Sequence, residues 1–215
     1  EIDYKMHRPI GYIPTDEEIE YIKHDTEIMA RVLKEFHKEG MSSLTSASDS
    51  FKAYKKTMTK KTFAALFPVL DKDIDDYIRK SYLGGLCIVN KKYKNILLYN
   101  CKCYDKNSMY PSKMEKELFA YGVPIKGDGK YVENKKYPVY VQHIKCQIKL
   151  KDNHIPCLML KRFLQLKNEY IEDTGDEIIE LYLTMVDMKI LFDAYDIQYI
   201  EFIDYLMFRG SRKLF

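Results

Sequence analysis

Several classes of protein are set aside by what this sequence lacks. No apolar run approaches the roughly 20 residues of a membrane-crossing helix, and no secretory leader pattern is present. The five cysteines are an odd number and include no Cys-x-x-Cys pair and no zinc spacing, so they read as free thiols in a reducing compartment. There is no Gly-rich phosphate loop, no catalytic triad and no redox motif. Internal repeats and low-complexity stretches are also missing. Charge of one sign does not dominate: the formal net charge is only +3, with basic residues scattered apart from pairs such as Lys55-Lys56 and Lys60-Lys61. Charge alone therefore does not announce a nucleic-acid partner. The histidines His7, His24, His37, His143 and His154 are expected to be structural or solvent-exposed.

With 215 residues and 46% hydrophobic content, the chain can bury a real core, and its length allows one or two domains. It begins with Glu1, and its first residues look like mid-domain sequence, so it is expected to be a piece of something longer.

Local patterning predicts a helix over 15–40: Thr15 caps it, Glu18 completes a capping box, Ile19, Ile22, Met29, Val32, Leu33 and Phe36 recur at helical spacing, and Gly40 supplies the stop. The stretch "MSSLTSASDS" (41–50) is the best candidate for a domain boundary. Helical segments are expected at 61–66 and 71–81, separated by Pro68. Two strands are expected at 86–90 and 96–104 around "KKYKN", with Cys101 and Cys103 buried beneath a sheet. A helix is expected at 108–119, with Pro111 tolerated in its first turn. Residues 121–137 read as loop, and 137–150 with 155–160 as a hairpin around "KDNH". The tail predicts strand–helix–strand at 178–183, 186–195 and 197–208. The expected class is α+β or α/β.

The chemistry concentrates in "YDKNSMYPSKM" (104–114). A carboxylate at the end of a central strand can be held at the mouth of a cleft, where a Mg²⁺ site for phosphoryl transfer is usually built. Asp105 is so placed. N–H groups near Ser108, at a helix start, could receive phosphate oxygens, and the Tyr110 ring could lie against a sugar. Capping of the helix by Asp105 is the competing reading. In "SYLGG", Gly84 and Gly85 would let the backbone pass close to another backbone or to a DNA phosphate; an ordinary helix-to-strand turn is the alternative. In "YIKHD", Tyr21 and Asp25 are four apart and share a helix face. Lys161, Arg162 and Lys167 could touch phosphate or an acidic partner, or form a solvated rim.

Asp105-Lys106-Asn107-Ser108-Met109-Tyr110-Pro111 resembles Asp-x-x-Ser-Leu-Tyr-Pro, the first polymerase motif of family B DNA polymerases, with Met in place of Leu. Tyr82-Leu83-Gly84-Gly85 resembles the Tyr-x-Gly-Gly/Ala element between the exonuclease and polymerase domains of that family, and Tyr21-x-x-x-Asp25 its third proofreading motif. With "EIDYK", "RPIGY", "SDSFK", "YGVPI", "GKYV" and "KNEYI", the whole chain resembles the terminal-protein-primed branch found in phages and linear plasmids. The resemblance implies an α+β arrangement: the end of an RNase H-like 3′–5′ exonuclease domain (1–45), the N-terminal part of a palm (46–115), and an α/β terminal-protein-region insertion (116–215). It implies that Asp105 and the Lys106 carbonyl bind metal, and that Asp25 binds metal while Tyr21 orients the attacking water. Lys106, Asn107, Ser108, Met109 and Tyr110 would lie at the incoming dNTP, and Tyr82, Gly84 and Gly85 at the primer–template. The implied partners are DNA primer–template, dNTP and a priming terminal protein. The implied cofactor is Mg²⁺ or Mn²⁺, not held tightly by this segment alone, and the implied setting is the cytoplasm of a bacterial host.

The earlier proofreading motifs, the fingers Lys and the palm Asp-Thr-Asp are not found. "DKDIDD" (71–76) matches by letters only and reads as acids favoured at a helix N-terminus. Since a two-metal site needs carboxylates from both halves of a palm, this chain alone is expected to be inactive. Two alternatives stand beside that reading: a non-catalytic module binding DNA or a priming protein, and a metal nuclease combining Asp25 with Asp105.

Overall fold

The structure, a computed structural model, describes residues 6–162 and 167–214. The chain forms two compact units, Glu1–Phe63 and Ala64–Phe215.

The first unit is helical. Helix α1 (Asp16–Lys38) starts at the expected capping box: the Thr15 hydroxyl accepts the Glu18 N–H, and the Glu18 carboxylate accepts the Thr15 N–H. Ion pairs three and four residues apart, such as Lys38–Glu35 and Arg31–Glu27, line its polar side. Its apolar side is exposed, and α1 contains no buried residue. Gly40 takes the left-handed conformation (φ +84°) that ends the helix. The second half of the Ser/Thr-rich stretch opens a second helix, α2 (Ser46–Lys56). The Thr45 hydroxyl caps it through the Ser48 N–H, and Asp49 accepts the Ser43 N–H. Polar residues there serve as its cap. Phe51 meets Phe63 edge-on at 5.9 Å, with the Lys55 ammonium over both rings. Helix α3 (Lys60–Leu66) follows.

The second unit is built on an antiparallel sheet. Helix α4 (Lys72–Ser81) and helix α5 (Met109–Lys116) precede strand β1 (Phe119–Asp128) and strand β2 (Val139–Leu150). Strands β3 (Met159–Arg162) and β4 (Lys167–Tyr170) pair with each other. Strand β5 (Ile179–Thr184), helix α6 (Met185–Ala194) and strand β6 (Tyr195–Ser211) complete the chain as described. The main sheet has the order β1-β6-β2-β5. The β5–α6–β6 unit therefore straddles β2, a split β-α-β arrangement.

Alternation along β2 sends Ile144, Cys146 and Ile148 to one face, where Leu181, Met188 and Leu191 join them in the larger core. Burial pushes the Cys146 thiol up to about 12. Val141, Leu206 and Phe208 occupy the other face, against Ile74, Tyr77 and Ile78 of α4. One extra β6 residue, Ile203, lies between the pairs His143↔Asp204 and Ile144↔Phe202. That bulge flips the parity of β6 and turns Asp204 toward α4. Buried Gln142 is fully used: its amide N–H groups reach the Gly129 and Asp204 carbonyls, and its carbonyl accepts the Tyr131 N–H.

The sequence expectations hold for α1, α3, α4, α5 and the strand–helix–strand tail; others fail. Residues 121–137 are not all loop, because β1 runs to Asp128. Pro124 is tolerated there because β1 is an edge strand with a register shift between Tyr121 and Ile125. Gly127 faces Tyr205, whose ring fills the place of a Cβ. The expected hairpin of 137–150 with 155–160 is not formed, since β2 pairs with β5 and β6 and β3 pairs with β4. Strands at 86–90 and 96–104 are also not formed. A strand needs a ladder partner, and both segments lack one among the described residues. Cys101 and Cys103 are consequently exposed rather than buried.

Candidate functional site

Three groups of residues carry the candidate chemistry. In the first unit, Arg8 closes on Glu18 through Nη2 (2.6 Å) and Nε (3.1 Å), and the Tyr12 hydroxyl donates to the same carboxylate at 2.7 Å. The Arg8 hydrogen bonds, helped by the Thr15 N–H and Tyr12, hold the Glu18 carboxyl down at about 2. The "RPIGY" stretch thereby pins the start of α1. One turn further along, Tyr21 and Asp25 line a hollow of about 350 Å³ together with Arg8, Tyr12, Pro14, Glu18, Ile22 and Thr26. Asp25 is exposed in this hollow and Tyr21 half-buried.

In the second unit, Tyr82 leaves the end of α4, whose last residue, Ser81, is buried. The segment then runs along the sheet's outer edge. Tyr82 and Leu83 border a hollow with Thr184, Val186 and Asp187, while Leu83 also borders one with Met159, Leu160 and Leu181. Two further attachments fix it: the Cys87 N–H donates to the Tyr170 hydroxyl at 3.0 Å, and Lys91 pairs with Glu172 at 2.6 Å. These anchors lie more than 80 residues away in sequence, beyond any local signal. Gly84 and Gly85 have open space where a Cβ would stand, and neither lies in the left-handed region. Crowding by this chain's described residues does not require them.

Asp105 stands exposed in an irregular stretch, together with Lys106 and Asn107. Ser108 enters α5 in the left-handed conformation (φ 51°, ψ 37°) and makes no side-chain cap. The first helical bond comes from the Ser112 N–H to the Ser108 carbonyl. Pro111 sits in the first turn, where its missing N–H is no loss. Met109 and Tyr110 are exposed, the latter 71%. The motif thus presents a carboxylate, a hydroxyl, free N–H groups and an aromatic face to solvent on one short segment. Oxygen donors of this type suit Mg²⁺, although the described residues contain no cluster of three or more His, Cys, Asp or Glu able to hold a metal alone. Asp25 and Asp105 belong to different compact units.

The model of the family "DNA polymerase type B, organellar and viral" matches residues 1–215. The chain belongs to that family. Among its relatives, the DNA polymerase of Bacillus phage Nf is 41% identical over the whole chain, and that of Bacillus phage phi29 is 39% identical. The DNA polymerase of Streptococcus phage Cp-1 is 31% identical over 93% of the chain. The chain spans 38% of the length of the Nf and phi29 relatives. Phi29 DNA polymerase superposes over the full chain with a TM-score of 0.79 in an orthorhombic crystal form. With primer–template DNA and incoming nucleotide, the TM-score is 0.76 at 38% identity. The fold of this family segment is mixed α/β. No described helix is long and apolar enough to cross a membrane.

The resemblance drawn from Asp105–Pro111, Tyr82–Gly85 and Tyr21/Asp25 is thus upheld at the level of family. Residues 1–5 and 163–166 and the side chains of Lys161, Arg162 and Lys167 lie outside what the structure describes.

Proposed function

We propose that this chain is a segment of a protein-primed, template-directed DNA polymerase with 3′–5′ proofreading, and that the segment alone is inactive. The full-chain family match together with 38% coverage of the relatives carries the reading. In this proposal residues 1–45 close an exonuclease domain, 46–115 open the palm, and 116–215 form the terminal-protein-region insertion. Asp105 and the Lys106 carbonyl are one half of the donor set for Mg²⁺ or Mn²⁺, and the other half lies outside this chain. Asp25 plays the corresponding part in proofreading, with Tyr21 orienting water. When bound, the metals would stabilise charge during nucleotidyl transfer and hydrolysis.

The chain's own residues bind and orient. The exposed N–H groups at the start of α5 and the Ser108 hydroxyl would meet dNTP phosphate, and the Tyr110 face would pack on its sugar, with Asn107 and Met109 flanking. Tyr82, Gly84 and Gly85 would follow the primer–template, and a terminal protein would supply the priming hydroxyl. The test is primer extension by the polymerase containing this segment. Asp105→Ala should abolish extension and leave primer–template binding intact. Magnesium-dependent nucleotide addition by the 215-residue chain alone, lost in Asp105→Ala, would overturn the reading. DNA or protein binding by that longer protein, without any extension, would favour the non-catalytic module.

A further inference from the structure

Helix α1 opens on more polar contacts than a helix start needs. A capping box uses one oxygen of the acid, and Glu18 Oε2 meets that need by accepting the Thr15 N–H at 3.0 Å. The same oxygen also accepts the Tyr12 hydroxyl at 2.7 Å. Oε1 has no part in the cap: it takes Arg8 Nη2 at 2.6 Å and Nε at 3.1 Å. Charge-assisted hydrogen bonds of this kind are the strong ones.

The segment before the helix is shaped to deliver these donors. Gly11 takes the left-handed conformation (φ +89°), and the Tyr12 N–H donates to the Pro9 carbonyl at 3.0 Å, closing a turn. Arg8 and Tyr12 flank that turn and meet at one carboxylate, with the guanidinium 5.8 Å from the centre of the Tyr12 ring. Arg8 Nη1 donates back to the Met6 carbonyl at 3.2 Å. Each guanidinium nitrogen is therefore engaged within the protein, which suits Arg8 to hold the helix rather than a ligand.

The grip falls on the face that carries the candidate chemistry. Glu18, Tyr21, Ile22 and Asp25 stand at i, i+3, i+4 and i+7, one stripe along α1. All four line the hollow of about 350 Å³ that Arg8 and Tyr12 also border. Since α1 contains no buried residue, side-chain burial within this unit does not fix the direction of that stripe.

We propose that Arg8, Tyr12 and Glu18 are positioning residues for excision, clamping the first turns of α1 so that Tyr21 and Asp25 are held at the hollow. The role in excision rests on the proofreading reading; the clamp itself does not. Without Arg8 the helix keeps its Thr15 cap but loses its tie to the preceding segment. Tyr21, one turn further on, would then lose its fixed place. A misplacement of about 1 Å at a reacting site can cost about 100-fold in rate.

The experiment has two arms. In the polymerase containing this segment, Arg8→Ala and Glu18→Gln should lower kcat for excision of single-stranded DNA by about 10- to 100-fold, with KM and primer extension at the parent level. Tyr12→Phe keeps the ring and removes one donor, so its loss should be smaller. Unchanged excision in Arg8→Ala overturns the proposal. A parallel fall in excision and extension marks a merely structural role and overturns it too, as does a rise in KM alone. In the 215-residue chain, Arg8→Ala should speed amide exchange at 19–22 and leave 30–36 as in the parent. Unchanged exchange at 19–22 refutes the clamp. Absence of excision by the unsubstituted polymerase refutes the proofreading reading and the role in it, while the exchange arm still decides whether the clamp holds α1.

Discussion

Replacing Gly84 or Gly85 with alanine separates what the fold needs from what a ligand needs. A Cβ at either position meets no heavy atom of the described residues within 4 Å, and neither backbone is left-handed. Alanine there narrows the unfolded ensemble without crowding the folded one, a gain of about 0.4–1 kcal/mol. For a domain of this size that is a rise in Tm of about 1–4 °C. Gly127→Ala supplies the contrast, since its Cβ would enter the Tyr205 ring on the facing strand. Overpacking of that kind costs about 1–3 kcal/mol.

The prediction reverses for the polymerase containing the segment. If a DNA phosphate passes close to the 84–85 backbone, each new methyl must push it away. The same overpacking range, about 1–3 kcal/mol, is roughly a 5- to 150-fold loss in primer–template affinity. Thermal unfolding of the 215-residue variants and a fluorescence-anisotropy titration of the polymerase with primer–template measure the two effects. Destabilisation by Gly84→Ala would refute the statement that the fold does not require glycine. Unchanged affinity in both variants would refute the close approach of DNA.

Other expectations follow from the same coordinates. Asp105→Ala should leave thermal stability of the 215-residue chain within about 0.5 kcal/mol of the parent, since an exposed side chain on an irregular stretch is being removed. Tyr195→Phe should cost about 1–3 kcal/mol in denaturant unfolding: the buried hydroxyl donates to the Ile171 carbonyl at 3.0 Å, and burial pushes it up to about 12. Glu18, held down at about 2, supports the start of α1 fully above its unfolded value, near 4.5, and loses that support as pH falls from there toward 2. Arg8→Ala should therefore move the Glu18 carboxyl titration, followed by NMR, upward toward 4.5. Thr15→Ala should weaken the same helix start by about 1 kcal/mol, seen as faster amide exchange in its first turn.

The sequence made legible what is local and periodic. The capping box at Thr15 and Glu18, the stop at Gly40 and the tail of β5, α6 and β6 all came from spacing within one element. Family motifs pointed to Asp105–Pro111 and Tyr82–Gly85 because their residue order survives without any fold. What stayed hidden depended on partners remote in sequence. The alternation at 96–104 promised a strand, yet a strand is a relation to a neighbour, and the described chain offers it none. The edge strand β1 was masked by Gly122, Pro124 and Gly127, each admissible only because of the bulge beside Tyr121 and the Tyr205 ring opposite. The contacts of His143 with Glu180 and Asp204 were hidden because those residues lie 37 and 61 positions away, and the Ile203 bulge that brings Asp204 round has no local signature. The buried hydrophobic core lies entirely beyond residue 140, while the motif residues 82–85 and 105–110 are largely exposed. The buried core and the family motifs are therefore written in different stretches of this chain.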